Sequence, residues 1–446
     1  MERGELARRV FEAGVVGAGG AGFPTHVKLA AEGIDTYLIN GAECEPLLTV
    51  DQHLMEAEAP RLVRAAASVA EALGATRAVF GLKKKYRRQI DALRAAGGEV
   101  AEVGNTYPAG DEVILLQEVL GRTVPEGGLP LMVGAVVNNP ETLLNVAEAL
   151  EGRPVTHTYV TLGGAVASRG VWRVPVGTDG AELLAAAGGV TEDDPAYIEG
   201  GPMTGKYRFD PHFPVTKATK GLLVVPRTSA LVRYETLDVE RMLNQARVAC
   251  CQCVQCTLAC SRNLVGYDLE PHRIMRLLAY GPMGLPEVAK QAFLCSECNL
   301  CSGLHACPMQ LSPRRVNQVL KARMREAGIR PDFPRREIEP RREQPYRQVP
   351  SHRLVQRLGL ERYEGPSPFR GDLRPSGDLT VLLKQHAGVP AVPCVAPGQI
   401  LEAGALLGSP PEGALGARVH APLGGQVVRV TPEAVILRPA AAGQEG

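Results

Sequence analysis

The sequence predicts a multidomain α/β protein: an α/β domain first, then a small β-rich domain, a helical cysteine-bearing domain and a C-terminal β domain. Three observations lead there. The 446 residues exceed what a single hydrophobic core organises. Short apolar runs alternate with longer amphipathic ones over the first third only, after which strand patterns broken by Gly and Pro take over. Nine of the 11 cysteines fall between Cys250 and Cys307, leaving Cys44 and Cys394 elsewhere.

Residues 1–154 form the first unit. TYLIN, AVFGL and VGAVVN read as strands, and the stretches beginning near Pro60, Lys83 and Glu141 read as helices, with apolar residues at three- and four-residue spacing. Such alternation implies a mostly parallel sheet wrapped by helices. Residues 155–236 change to short strands (VTHTYVTL, GVWRVPV, KGLLVVP) with one helix at Ala181 to Ala187. Residues 237–330 carry the cysteines, with helical patterns between the two groups (PHRIMRLLAYG, LPEVAKQAFL) and after them (SPRRVNQVLKARMREAG). Residues 331–377, rich in Pro and Arg, have the composition of an extended connector. Residues 378–446 return to short strands with Gly turns, a compact sandwich or barrel.

A net charge of +1 with interspersed acids and bases argues against nucleic acid or an acidic lipid surface as partner. The N-terminus carries acids where a signal peptide would have an apolar run. No stretch approaches the roughly 20 apolar residues that span a bilayer, so no integral membrane segment is expected. Crowded cysteines exclude a chain-wide disulfide framework and point to a local metal centre in a reducing, cytoplasmic setting.

Cys250, Cys253, Cys256 and Cys260 follow C-x2-C-x2-C-x3-C, the ferredoxin spacing for a [4Fe–4S] cube. Cys295, Cys298, Cys301 and Cys307, with Pro308 after them, form a second run. In a two-cluster arrangement the fourth cysteine of each run serves the other cube. Cys250, Cys253, Cys256 and Cys307 would hold one, and Cys295, Cys298, Cys301 and Cys260 the other. Ser261 replaces the Pro that usually follows the fourth cysteine, five residues separate Cys301 from Cys307, and Cys251 fits no ligand position. The alternative is a pair of four-cysteine zinc sites, which join well-separated C-x2-C pairs. A pair of cubes is a one-electron wire, and a wire needs a donor and an acceptor.

The run GAGGAGFPTHVK places Gly17, Gly19, Gly20 and Gly22 ahead of Lys28. Glycines at this density let backbone N–H groups approach a phosphate, with a lysine to neutralise it. No strand precedes it, so it is not a Rossmann fingerprint. By itself it is either a cradle or a tight turn.

This loop, with LINGAECEP (Leu38 to Pro46), YPAGDE (Tyr107 to Glu112), GRTVPEGGLP, VVNNPETL (Val136 to Leu143), GGPMTG (Gly200 to Gly205) and the two cysteine runs, resembles the flavin-carrying, NADH-oxidising subunit of respiratory complex I. It is more similar to that subunit's peripheral relatives, the RnfC subunits of ion-pumping ferredoxin:NAD oxidoreductases and the PduS-type cobalamin reductases of propanediol-utilisation compartments. RnfC-like chains carry the HxGxPAxPxVxxG barrel-sandwich element first. Here it stands last (His386, Gly388, Pro390, Pro393, Gly398), as in the PduS-type family.

The resemblance implies a complex I flavin-subunit-like α/β FMN domain, a β-grasp SLBB domain, a two-cluster ferredoxin domain and a barrel-sandwich hybrid domain. It implies FMN, two [4Fe–4S] clusters and NADH as substrate. Gly17, Gly19, Gly20, Gly22 and Lys28 would surround the flavin phosphate. Asn40 and the catalytic pair Glu43 and Glu45 would line the isoalloxazine and nicotinamide. Asn138, Asn139 and Thr142 would bond the flavin from a second loop, with Gly110 and Glu112 as nucleotide contacts. Ala42 stands where complex I relatives have Asp. The implied acceptor is cob(II)alamin or its adenosyltransferase, in the cytoplasm or inside a bacterial microcompartment, with shell proteins and a second copy of the chain as further partners. The alternative is an RnfC-like electron-transfer subunit of a membrane complex.

Among the remaining residues, Cys44 is read as a packing or flavin-lining thiol, because two flanking carboxylates oppose thiolate formation. The KKKYRR run (Lys83 to Arg88) is read as a solvated helical face. His272, His305, His386 and His420 lack ligand spacing. The C-terminal unit has no hairpin lysine for a carrier role and is read as a covering or docking domain.

Overall fold

The computed structural model describes residues 1–20, 22–280, 286–334 and 336–440. Its first sheet has four parallel strands: β1 (Thr36–Asn40), β2 (Arg77–Lys83), β3 (Glu99–Val103) and β5 (Ala135–Asn138), in the order β3-β2-β1-β5. The two-residue β4 (Thr106–Tyr107) stands apart. Side-chain alternation sends Tyr37, Ile39, Phe80, Leu82 and Val136 to one face, against the helices Ala59–Leu73 and Pro140–Leu150. Leu38, Val79 and Val137 point to the other face, where they share a core with Met242, Ile274, Leu294 and Val316 of the cysteine-bearing segment. The sheet and the cysteine domain are thus packed through one apolar layer.

The chain runs outward from β1 to β2 and β3, then returns to place β5 on the opposite side of β1. That reversal is a topological switch point, and ligands of open α/β sheets bind in the crevice outside the carboxyl ends of the two strands flanking it. Asn40 and Asn138 end those strands. Helix caps fix the loops around the crevice: Asp111 Oδ1 accepts Val113 N–H at 3.0 Å, and Asn139 Oδ1 accepts Glu141 N–H at 2.9 Å ahead of Pro140 at the first helical turn.

A second, six-stranded sheet is ordered β12-β7-β6-β10-β8-β9, from β6 (His157–Gly164), β7 (Gly170–Pro175), β8 (Pro195–Glu199), β9 (Lys206–Arg208), β10 (Gly221–Pro226) and β12 (Phe369–Asp372). Its sixth strand corrects one expectation. The Pro/Arg-rich stretch is not a free connector: β11 (Val349–Pro350) pairs with β4, the helix Ser351–Arg357 follows, and β12 joins β7 in parallel. Proline-rich composition removes donors without preventing short edge pairing.

The C-terminal strands β13 (Leu379–Leu382), β14 (Val392–Pro393), β15 (Ile400–Leu401), β16 (Leu406–Ser409), β17 (Val419–His420), β18 (Gly425–Val430) and β19 (Ala434–Pro439) form sheets ordered β13-β19-β18-β15 and β14-β16-β17. They enclose Leu379, Val381, Leu407, Val427 and Val435.

The helix expected to begin near Lys83 starts at Arg87. Lys83 ends β2 and is 1% exposed, so this lysine is no part of a solvated face. The expected helices of the cysteine domain are Pro271–Tyr280, Pro286–Lys290 and Pro313–Glu326, and Gly281 and Leu285, at the edges of the first two patterns, lie outside the described residues. Among the described residues no helix is long and apolar enough to cross a membrane.

Candidate active site

A cavity of about 480 Å³ opens at the carboxyl ends of β1 and β5. That is the size range of small-molecule sites. Gly17, Gly19, Lys28, Asn40, Glu43, Glu45, Gly110, Glu112, Asn138, Asn139 and Thr142 all line it. Gly20 and Gly22 do not; Gly22 packs instead against the C-terminal strands. The loop folds back on itself, Gly17 N–H donating to Phe23 O at 2.9 Å, and Ala18 N–H donates to Thr142 Oγ1 at 2.9 Å.

Polar groups converge on the space. Asn138 is 4% exposed, and neither its amide oxygen nor its amide nitrogen has a partner. A buried amide left unpaired on a cavity wall is what a polar ligand would satisfy. Lys28 Nζ reaches Glu112 at 3.1 Å and Val137 O at 3.0 Å. Asn40 Nδ2 donates to Gly110 O at 2.8 Å. A Cβ on Gly110 would stand 2.6 Å from Ala42 O, so this approach requires glycine.

Desolvation, followed by repulsion from Asp51, pushes the Glu43 carboxyl up to about 7. Glu45 is raised by desolvation too, although it accepts from Thr204 Oγ1 at 2.7 Å and Met203 N–H at 2.8 Å, within the GGPMTG motif. Cys44 is pushed up chiefly by desolvation, with the flanking carboxylates a smaller cause than their position in sequence suggested.

Several lining groups escaped the sequence reading: Phe23, Thr25, Asp51, Tyr107, Asp111, Thr204, Arg262 and Ser296. Asp51 had a usable signal. It interrupts an otherwise apolar helix face with Val50, Leu54 and Met55 and is 1% exposed. It pairs with Lys220, which also meets Glu141 at 2.9 Å, and accepts from Asn139 Nδ2 at 2.6 Å. Lys220, just ahead of β10, therefore carries a cation from the second sheet to the floor of the first sheet's cavity. Arg262, two residues past Cys260, pairs with Asp111 at 2.9 Å and ties the cysteine domain to the same wall.

The cysteines fall into the two expected sets. Cys250, Cys253, Cys256 and Cys307 line one small cavity with Met275 and Leu311. Cys260 lies within electrostatic reach of Cys298 and Cys295, and Cys301 of Cys295, Cys298 and Cys260. Both triple runs use the same backbone device. Gln252 (φ 55°) and Val254 (φ 66°) in the first match Glu297 (φ 62°) and Asn299 (φ 69°) in the second. Left-handed conformations at non-glycine residues, one of them β-branched, curl each run so its sulfurs face a common centre; such strain clusters at ligand-clamping sites.

Donors meet the sulfurs: Glu297 N–H to Cys295 Sγ at 3.3 Å, Leu311 N–H to Cys307 Sγ at 3.4 Å, and Gln252 Nε2 to Cys250 Sγ at 3.1 Å. Desolvation pushes the Cys256 thiol up to about 12, so the free sites hold protons until a metal displaces them. Among the described residues no three Cys, His, Asp or Glu side chains converge as a single ion requires, which is not zinc-site geometry.

The two sets stand in order. Ser296 and Cys298 line the main cavity, and Tyr107 Oη donates to Cys298 O at 2.7 Å. Cys301 and Cys256 lie within reach of each other across the sets. Beyond them Cys251 and Cys253 are exposed, and Val248 is 86% exposed.

Residues 10–148 match the model of the Nuo51 FMN-binding domain, 249–312 that of the 4Fe-4S dicluster domain, and 371–442 that of the RnfC barrel sandwich hybrid domain. Cobalamin reductase PduS of Citrobacter freundii is 43% identical over 96% of this chain and 95% of its own. The chain belongs to the PduS cobalamin reductase family. The Salmonella typhimurium member is likewise 43% identical, over 97% of this chain and 96% of its own. The similarity to an RnfC-like component of the Na(+)-translocating ferredoxin:NAD(+) oxidoreductase complex of Acetobacterium woodii is partial, 35% over 52% of this chain and 55% of that one. PduS-type proteins are thus nearer than RnfC-like ones, and the cofactors are those of the matched domains, FMN and two [4Fe–4S] clusters.

Proposed function

We propose that this chain oxidises NADH at the cavity between β1 and β5 and delivers the electrons to cob(II)alamin, forming cob(I)alamin. One NADH gives two electrons, enough for two cob(II)alamin, and releases NAD+ and one proton. The observation that carries the reading is the shared wall: the loop bearing Ser296 and Cys298 lines the cavity that also holds Glu43 and Asn138. FMN, when bound, accepts a hydride as two electrons and releases them singly, the conversion needed ahead of one-electron clusters.

In this reading residues 1–154 hold the flavin. Gly17 and Gly19 present backbone to its phosphate, Lys28 supplies the positive charge, and the unpaired Asn138 amide and Asn40 orient the ring. Glu43 can hold or give up a proton at its carboxyl near neutral pH, which suits a group beside hydride chemistry. Glu45 is a positioning residue, since its carboxylate is taken up by Thr204 and Met203. Residues 155–236, a β-grasp unit of the SLBB type, support the floor through Lys220. Residues 237–330 form the wire, with Cys260, Cys295, Cys298 and Cys301 nearest the cavity and Cys250, Cys253, Cys256 and Cys307 toward the surface. Residues 331–377 strap the second sheet, and 378–446 form the barrel-sandwich unit. The acceptor side is the face around Cys253. The setting is the cytoplasm, in or beside a microcompartment.

The test is anaerobic purification with iron, sulfide and flavin quantitation, then incubation with NADH and cob(II)alamin and trapping of cob(I)alamin by an adenosyltransferase. Adenosylated product dependent on NADH is expected. Brown protein that reduces artificial acceptors yet yields no adenosylated product would overturn the acceptor assignment.

A further inference from the structure

The glycine loop is held from outside by the C-terminal strands. Ala387 N–H donates to Gly22 O at 2.9 Å. Gly22 has φ 60°, and a Cβ there would lie 3.1 Å from His386 Cα and 3.2 Å from Gln385 O, so the segment between β13 and β14 lies directly on the glycine. His386 serves its own unit, accepting Ala417 N–H at 3.0 Å on Nε2.

A second hold lies just before the loop. Lys217, 3% exposed, donates from Nζ to Gly14 O at 2.7 Å and to Arg418 O at 2.8 Å, and its own N–H donates to Gln385 Oε1 at 2.9 Å. Burial lowers its amine to about 7, and a neutral amine has two N–H bonds to match the two carbonyls. Arg418, His420 and His386 are the charged or titratable groups facing it, and desolvation and Lys217 together push both histidines down. Gly14 (φ 67°) is pressed so closely that a Cβ would stand 2.3 Å from Arg418 O.

We propose that the C-terminal β unit is a clamp that pre-forms the glycine loop for FMN, with Lys217, Gln385 and Ala387 as positioning residues; this rests on the reading of the cavity as the flavin site. Ordering a loop with four glycines costs conformational entropy, and glycine loses the most of any residue. A contact that fixes the loop beforehand removes that cost from the binding step. The segment that covers the loop from outside does not line the cavity, so its effect is on affinity rather than on contact with the ligand.

Two measurements test it on the full chain. FMN is titrated into cluster-loaded, flavin-stripped protein by fluorescence quenching, for wild type, Lys217→Met and Gln385→Leu. About tenfold weaker binding is expected, with iron and sulfide content unchanged. Hydrogen exchange of the wild-type chain with and without FMN is the second measurement and needs no variant to fold. FMN should slow exchange at residues 385–388 and 214–220 as well as at 14–28. Affinities within twofold of wild type in both variants, or protection confined to 14–28 and 138–142, would overturn the clamp. Wild-type protein that takes up no FMN would overturn the flavin reading of the cavity instead.

Discussion

Replacing Lys220 by Met tests whether the second sheet supports the cavity of the first. The Lys220 side chain is 6% exposed, between Asp51 at 2% and Glu141 at 1%. Removing one partner of a buried ion pair costs about 3–5 kcal/mol, because the other charge stays buried and uncompensated. Two carboxylates are left here. Both keep donors, Asp51 from Asn139 and Glu141 from Thr158 Oγ1 at 2.9 Å and Tyr159 N–H at 2.8 Å, so the loss should remain within that range. The sign with pH follows. Without the ammonium both carboxyls bind protons more tightly folded than unfolded, so the folded state holds more protons and stability falls as pH rises above the ordinary carboxylate range. The assay is thermal and urea unfolding read by FMN release at pH 6 and pH 8. The loss should be larger at the higher pH, and a Lys220→Met/Asp51→Asn/Glu141→Gln variant should recover most of it. A loss under about 1 kcal/mol, or one independent of pH, would refute the buried-network argument.

Further outcomes are expected around the same site. NADH oxidation by the wild-type chain should inflect near pH 7, where Glu43 titrates, and Glu43→Gln should flatten that inflection in the pH–rate profile. Glu43 holds its proton more tightly folded than unfolded, so its contribution to stability is lost between the ordinary carboxylate range and about pH 7, and the Gln variant should lose this dependence in urea titrations. Cys298→Ser and Cys253→Ser should each lower iron content. With Cys253→Ser, NADH should still produce the electron paramagnetic resonance signal of a reduced cluster. With Cys298→Ser it should bleach the flavin without one; the same spectrum from both variants would contradict the order of the two sets. Ser261 places its hydroxyl 3.6 Å from Cys298 Sγ, and Ser261→Ala should shift that cluster's midpoint to a more negative potential in a redox titration.

Much of the site was legible because its signals are local. Three cysteines two residues apart can face one centre whatever surrounds them, and the strain needed is stored at Gln252, Val254, Glu297 and Asn299 inside the runs. Asn139 and Asp111 announce helix starts by their own caps. Lys83 was misread because a run of basic residues carries no mark of where the strand ends, and β2 extends to include it. Lys220 and Asp51 were missed because each is ordinary alone and meaningful only as a pair brought together from different units.

The sequence alone therefore determined the chemistry: two sets of thiolate ligands, a glycine loop and the domain order that separates PduS-type chains from RnfC-like ones. Spacing, capping and glycine conformations act within a few residues and survive any packing. Only the tertiary structure decided which cysteine set borders the cavity, that the Pro/Arg-rich stretch completes a sheet through β12, and that Ala387 rests on Gly22. Those facts depend on strand order and on apolar faces shared between units far apart in the chain, which local pattern does not encode.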